Sequence, residues 1–86
     1  MEVKVGTVSH VFKKIGVAVL DLTEPLQAGD TIHITGQQTD LTQKVESMQV
    51  EHQNVQKAEG GQCVGLKVMG EVREHDLVCK VVDDRH

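Results

Sequence analysis

Tryptophan and tyrosine are missing from this chain, and Phe12 is its only large aromatic residue. Proline occurs once, as Pro25, and cysteine twice, as Cys63 and Cys79. Each scarcity excludes something. A core without aromatic rings is a sum of small aliphatic contacts, each fully buried Val or Leu contributing about 1.5–3 kcal/mol. Against it stands roughly 1–2 kcal/mol of backbone entropy for every residue ordered. A chain of 86 residues therefore supports one domain, residues 1–86, with one small core to which nearly every element contributes. No apolar run approaches the roughly 20 residues of a membrane-spanning helix. The cysteines lie sixteen positions apart, which fits neither a zinc spacing nor a Cys-x-x-Cys redox pair. Small apolar core residues are the expectation for both thiols, with a bridge between adjacent strands as the alternative. No GxxxxGKS/T loop is found either. Without its glycine-rich cradle and lysine, no nucleotide hydrolysis and no nucleotide cofactor are expected.

What the chain does have is valine, fifteen residues of it. Valine is stiff at χ1 and suits a pleated, half-buried surface, so the composition favours β-structure. Short apolar runs separated by Gly-, Pro-, Asn- or Asp-containing turns point the same way. The spacing predicts a first strand through Val3, Val5 and Val8 to Val11, a turn over 12–16, and a second strand over 17–22. A wide turn over 23–30 follows, with φ fixed at Pro25, positive φ open to Gly29, and the Asp30 carboxylate available to backbone N–H groups. Residues 31–35 alternate cleanly, Ile32 and Ile34 inward and His33 outward. After a turn over 36–40 comes the longest strand candidate, 41–52. Its apolar period slips once between Val45 and Met48, as a β-bulge would make it do. Residues 54–62 connect to strands over 63–70 and 77–82, joined by 71–76. Six strands in so short a chain would leave exposed edges in a flat sheet. The prediction is therefore a small closed six-stranded Greek-key β-barrel, all-β.

The net charge is −4, which argues against a general nucleic-acid binder with a basic face. The opening MEVKVG already alternates like a strand and not like a secretory leader, and a cytoplasmic protein with no membrane attachment is expected. Five histidines, His10, His33, His52, His75 and His86, are no closer than eleven positions to one another. Zinc takes about four converging ligands, often closely paired in sequence, so the histidines are read as solvent-facing and no metal is expected. No Ser, Cys or Thr sits in an arrangement that signals a nucleophile with its base, and no enzymatic activity is expected. Lys13, Lys14, Lys44, Lys67 and Arg73 form a phosphate-binding patch if neighbouring strands bring them together. They are an ordinary solvated scatter, balanced by thirteen acids, if not. Phe12, beside Lys13 and Lys14, suits either a platform for a nucleic-acid base or a plug for the barrel end next to Ile15. A single Phe in so aromatic-poor a chain favours the plug.

Five stretches together carry a resemblance: Gly6, PLQAGDTIHITG, KVESMQV, AEGGQCVGLKV and VREHDLV. Over nearly the whole chain they resemble the second, β-barrel domain of translational GTPases, the domain shared by elongation factor Tu, bacterial-type initiation factors and the selenocysteine-specific factor. The same barrel is similar to the accessory C-terminal domain of U32-type peptidases. Two turns depart from the translation-factor pattern, with Gly61-Gln62 in place of Gly-Asp and His75 in place of Gly. By this resemblance, the positions that hold the aminoacylated tRNA end in the elongation factor fall on Gln49, His52 and Cys63. The family's charged or amide identity is not kept where it matters most. The resemblance thus implies a non-catalytic, translation factor-like binding module contacting ribosomal or transfer RNA or a protein of the translation apparatus. Its alternative is an accessory protein-interaction barrel working with an enzyme, like the C-terminal domain of U32-type peptidases.

Overall fold

The computed structural model describes residues 1–82. Among them the fold is all-β. Its ten strands are β1 (Glu2–Phe12), β2 (Val17–Leu22), β3 (Leu26–Gln27), β4 (Thr31–Thr35), β5 (Asp40–Lys44), β6 (Met48–Val50), β7 (Gln53–Val55), β8 (Lys57–Ala58), β9 (Cys63–Lys67) and β10 (Leu77–Val81). Eight of them form one sheet in the order β5-β4-β10-β1-β2-β9-β6-β7, and β3 pairs with β8. All neighbours are antiparallel. The predicted closed, six-stranded ladder is not what forms: β5 and β7 stand as the two edges of the large sheet. A side chain links one edge back instead. The Gln43 amide on β5 donates to the Lys67 carbonyl at 2.9 Å and accepts from the Met69 N–H at 2.7 Å, just past β9.

Among the described residues, fifteen apolar ones make the core. Ile32 and Ile34 are fully buried, as their alternation predicts, and β2 buries Ala18, Leu20 and Leu22. The two edge strands add only the partly buried Leu41 and Val55. Val45 and Met48 are both buried, but no bulge joins them. The long strand expected over 41–52 is two strands near opposite ends of the sheet, with a crossing at 45–47. Val45 gives its N–H to the Asp30 carbonyl at 2.8 Å and its carbonyl to the Gly29 N–H at 2.9 Å. A residue whose backbone groups are spent on a turn has none left for a ladder.

That exchange is one of three alike. In the turns 27–30, 59–62 and 73–76, the third residue has positive φ: Gly29 at 95°, Gly61 at 89° and His75 at 74°. Positive φ there is what a type II turn demands. In each, the fourth residue's side chain accepts from the first residue's N–H. The distances are 3.0 Å for Asp30 and Gln27, 2.8 Å for Gln62 and Glu59, and 2.8 Å for Asp76 and Arg73. A buried apolar residue precedes each turn, respectively Leu26, Ala58 and Val72. A strand follows each, respectively β4, β9 and β10. Each turn also trades a pair of backbone bonds with one buried residue, respectively Val45, Leu22 and Val8. The two departures at Gln62 and His75 thus leave the turn's shape unchanged. A glutamine amide oxygen does the work of the aspartate, and histidine tolerates positive φ better than most residues.

The real bulges lie in β1, between Lys4 and Gly6 against β10 and between Val8 and His10 against β2. At the first, a Cβ on Gly6 would run into the Asp21 carbonyl, so only glycine permits that approach. The second reverses the side-chain phase. Counting by two from the buried Val8 would put Phe12 inside. After one extra residue, Val11 faces in and Phe12 faces out. Phe12 is accordingly 47% exposed, and the expectation that it plugs the core is overturned.

On the outer face, His33 of β4 reaches β5 on one side and, across β10, β1 on the other. Its Nδ1 lies 3.0 Å from Glu2 and its Nε2 2.6 Å from Asp40. Hydrogen bonds to Asp40 and then to Glu2 raise its pKa above the usual 6.5.

Three outcomes are expected. Because Phe12 is half exposed, Phe12→Ala costs less than about 1.5 kcal/mol in urea unfolding, against roughly 3–5 for a buried Phe. Gln62→Ala removes an acceptor from the 59–62 turn and costs about 0.5–1.5 kcal/mol, while Gln62→Asp retains most of the stability. A raised folded-state pKa at His33 means stability fully present below the unfolded value of about 6.5. It is lost as pH rises through the higher folded value. Unfolding midpoints measured from pH 5.5 to 8.5 therefore fall across that window in the wild type, and the fall is absent in His33→Gln.

Candidate functional site

The β1–β2 hairpin pairs Phe12 with Val17 and carries Ile15 in its turn, where the side chain is 65% exposed. Strand alternation puts Val17 and Val19 of β2 on the same outer face as Phe12. On the next strand, Gly65 of β9 sits opposite Val19, and beyond it Gln49 of β6 sits opposite Gly65. Gly65 presents no side chain, so the face dips there. The result is a groove of about 360 Å³ lined by Phe12, Ile15, Val17, Val19, Gln49, Glu51, His52, Cys63 and Gly65. Its floor is apolar and one rim is polar.

The polar rim is built by the β6–β7 hairpin. Val50 pairs with Gln53, leaving Glu51 and His52 as a two-residue loop. Both have positive φ, 52° and 65°. Such loops ordinarily use Asn-Gly or other glycine-bearing pairs. Within the hairpin, Gln49 Nε2 donates to Asn54 Oδ1 at 3.2 Å. At the groove's end, Cys63 Sγ lies 3.9 Å from Asp21 Oδ1.

Of the sequence-derived site residues, Gln49, His52 and Cys63 come together on this groove. Lys67 shares the face and sits opposite Val17, one alternation beyond Gly65. The other cations lie elsewhere. Lys13 faces away with Val11 and borders a shallow recess together with Val72, Arg73 and Glu74. Lys14 is exposed in the hairpin turn, and Lys44 closes β5 opposite Thr31.

Cys63 is exposed and Cys79 half-buried, both as free thiols. The strands that carry them are separated by β1 and β2, so they form no bridge, and Cys63 is not the core residue expected. His10 packs edge-on against Phe12, ring centroids 4.5 Å apart, and lies 3.3 Å from Glu74. His86 lies outside the described residues. Among the described residues no three His, Cys, Asp or Glu side chains are grouped to hold a metal ion.

A larger recess of about 560 Å³ lies between residues 35–38 and 73–77. Its buried carboxylate, Asp76, is already committed to the Arg73 N–H. Sequence reasoning weighs Phe12 as a platform but favours the plug, and it does not single out Ile15, Val17, Val19, Glu51 or Gly65 as groove residues. The one signal for them was an aromatic residue beside a turn, which also fitted a plug.

No family model matches the chain. It is similar to an uncharacterized protease of Methanocaldococcus jannaschii, 40% identical over 78 residues, covering 90% of this chain and 19% of that protein. It is similar also to a collagenase of Porphyromonas gingivalis, 38% identical over 77 residues, covering 87% and 19%. The chain thus spans about a fifth of the length of these relatives. Among solved structures it resembles the C-terminal domain of a Geobacillus thermoleovorans protein assigned as a U32 peptidase. The TM-score is 0.86 at 21% identity, with 92% of each chain covered. A selenomethionine form of that domain matches with a TM-score of 0.83. At such identity the likeness shows the fold. These findings overturn the resemblance to the second domain of translational GTPases, and with it the RNA and ribosome partners that it implied. The motifs behind that resemblance, Leu26-Gln27-Ala28-Gly29-Asp30 foremost, encode the type II turn described above. A turn's geometry is not a function. The relatives and the solved structures place this chain's likeness with protease-type proteins and with the C-terminal domain of a U32 peptidase.

Proposed function

We propose that this chain is a non-catalytic accessory domain that works with a U32-type peptidase by binding polypeptide. One observation carries the reading. Relatives described as a protease and a collagenase match it at 38–40% identity over nearly its whole length, yet it spans only about a fifth of theirs. On this reading the catalytic residues belong to the other four-fifths, and this module supplies contacts. Its outer face suits the role. The chain's only Phe and a solvent-exposed Ile15 flank an apolar depression on a molecule whose core is otherwise well supplied with buried aliphatics. Exposed apolar surface of this kind, rimmed by polar groups, is characteristic of interaction sites.

The test is co-expression of the tagged chain with a U32-type peptidase chain of the same genome, followed by size-exclusion chromatography. Co-elution in fixed stoichiometry is expected, with no hydrolysis of labelled gelatin by the chain alone. A chain that always elutes by itself, or that degrades gelatin unaided, sinks the proposal.

A further inference from the structure

The groove's charges are not evenly placed. Cross-strand neighbours form rows over the outer face: Phe12, Val17 and Lys67 in one, then His10, Val19, Gly65, Gln49 and Asn54 in the next. Asp21 and Cys63 pair in the row after that, and the β6–β9 register that sets Gln49 opposite Gly65 brings Glu51, two residues on, toward Cys63. The Cys63 end is therefore bordered by two carboxylates, Glu51 in the lining and Asp21 beside Cys63 on β2, and the opposite end by Lys67 beside Val17. Between them lie Val17, Val19 and the bare backbone of Gly65.

Gly65 is not there for the sake of the backbone, since it lacks a positive φ. A Cβ built on it would meet Val17 Cγ1 at 3.6 Å and the Gln49 carbonyl at 4.0 Å, both ordinary contacts. What glycine contributes at this position is empty space. The Glu51–His52 loop makes the complementary point. Glycine would relieve its positive φ values, and the chain has two side chains there instead. Backbone strain of this kind persists where the side chains have a use.

We propose that this groove binds an extended peptide segment, seating one large apolar side chain over Gly65 with an adjacent Arg or Lys at the Asp21–Glu51 end. The apolar floor recognises the first side chain by burial. The carboxylates at the Cys63 end recognise the second by charge, and Lys67 repels it from the other end, so the peptide lies in one direction. Phe12 and Ile15 form the wall against which the apolar side chain packs. The inference rests on the reading of the chain as a polypeptide-binding accessory domain and names the segment that it takes.

The experiment uses the full chain alone. An array of capped hexapeptides carries Leu, Ile, Met or Phe next to Arg, Lys, Ala or Glu, in both orders. It is probed with N-terminally tagged protein at low and moderate salt. Peptides pairing an apolar residue with Arg or Lys in one order are expected to bind at least about fivefold more tightly than their Glu counterparts. That preference weakens with added salt. Glu51→Gln is expected to shrink the preference while sparing binding of the Ala peptides. Gly65→Val, which fills the floor, abolishes binding at an unchanged unfolding midpoint. Should Gly65→Val fail to fold, Ile15→Ser at its exposed turn position tests the same wall. The proposal is overturned if no peptide binds, if Glu peptides bind as well as Arg peptides, or if both groove variants bind like the wild type. Peptide binding without co-elution with a peptidase removes the accessory-domain reading alone. Co-elution with a blank array removes only the peptide groove.

Discussion

Three type II turns, each exchanging two backbone hydrogen bonds with a buried apolar residue, hold this fold in register. Each fixes the start of a strand. Each spends the polar backbone of Val45, Leu22 or Val8, residues whose side chains are in the core. A buried N–H or carbonyl left unpaired costs about 1–3 kcal/mol. Pairing these six groups with turns satisfies them where no neighbouring strand does. The turn side chains, Asp30, Gln62 and Asp76, hold the turns themselves in shape. In a chain without Trp or Tyr, whose core is aliphatic, such directional constraints fix what packing alone leaves loosely specified. Aliphatic side chains of similar volume exchange places at little cost, whereas a turn with positive φ at one residue has a single geometry.

The same logic explains which features were legible in the sequence. The strict alternation at Ile32, His33 and Ile34 reads directly as a half-buried strand, and it is one. Pro25, Gly29 and Asp30 announce their turn because each acts locally. What was not legible depends on residues far apart in sequence. The slip between Val45 and Met48 looks like a bulge to any local reading. Only the turn at 27–30, which claims Val45's backbone, makes it a crossing. Gln62 reads as a departure only while the motif is a string of residue types. The structure defines it as an acceptor at the fourth position of a turn, and an amide oxygen qualifies.

The groove was half legible for a similar reason. Gln49, His52 and Cys63 were reached through a resemblance that the comparisons replace, and they do converge, because their positions are set by the β6–β9 ladder and the loop beyond it. Aromatic scarcity favours burial of Phe12, but β1 runs through it, and a single extra residue in the bulge between Val8 and His10 inverts the side-chain phase of the strand's end. Nothing in SHVF distinguishes the two phases. Ser9 and His10 are polar, so either register offers the core one of Val11 and Phe12. The structure chooses Val11, the smaller one, and the core closes without an aromatic ring.

That choice has a consequence for how the surface is used. Exposing the only Phe forfeits burial of the largest apolar side chain the chain possesses, and a domain of this size has little stability to spare. The bulge that exposes Phe12 also aligns Val17 and Val19 beneath it, while Gly65 leaves the floor bare and the Glu51–His52 loop holds two side chains in a backbone conformation that glycine would adopt more readily. Three local choices, the β1 bulge, Gly65 and the Glu51–His52 loop, each unfavourable or neutral for folding, meet at one groove. A scatter of such choices over the surface would need no common cause. Their convergence is what distinguishes a built site from an incidental hollow, and the larger recess beside the 73–76 turn shows the contrast: its carboxylate is buried, hydrogen-bonded and serves the turn.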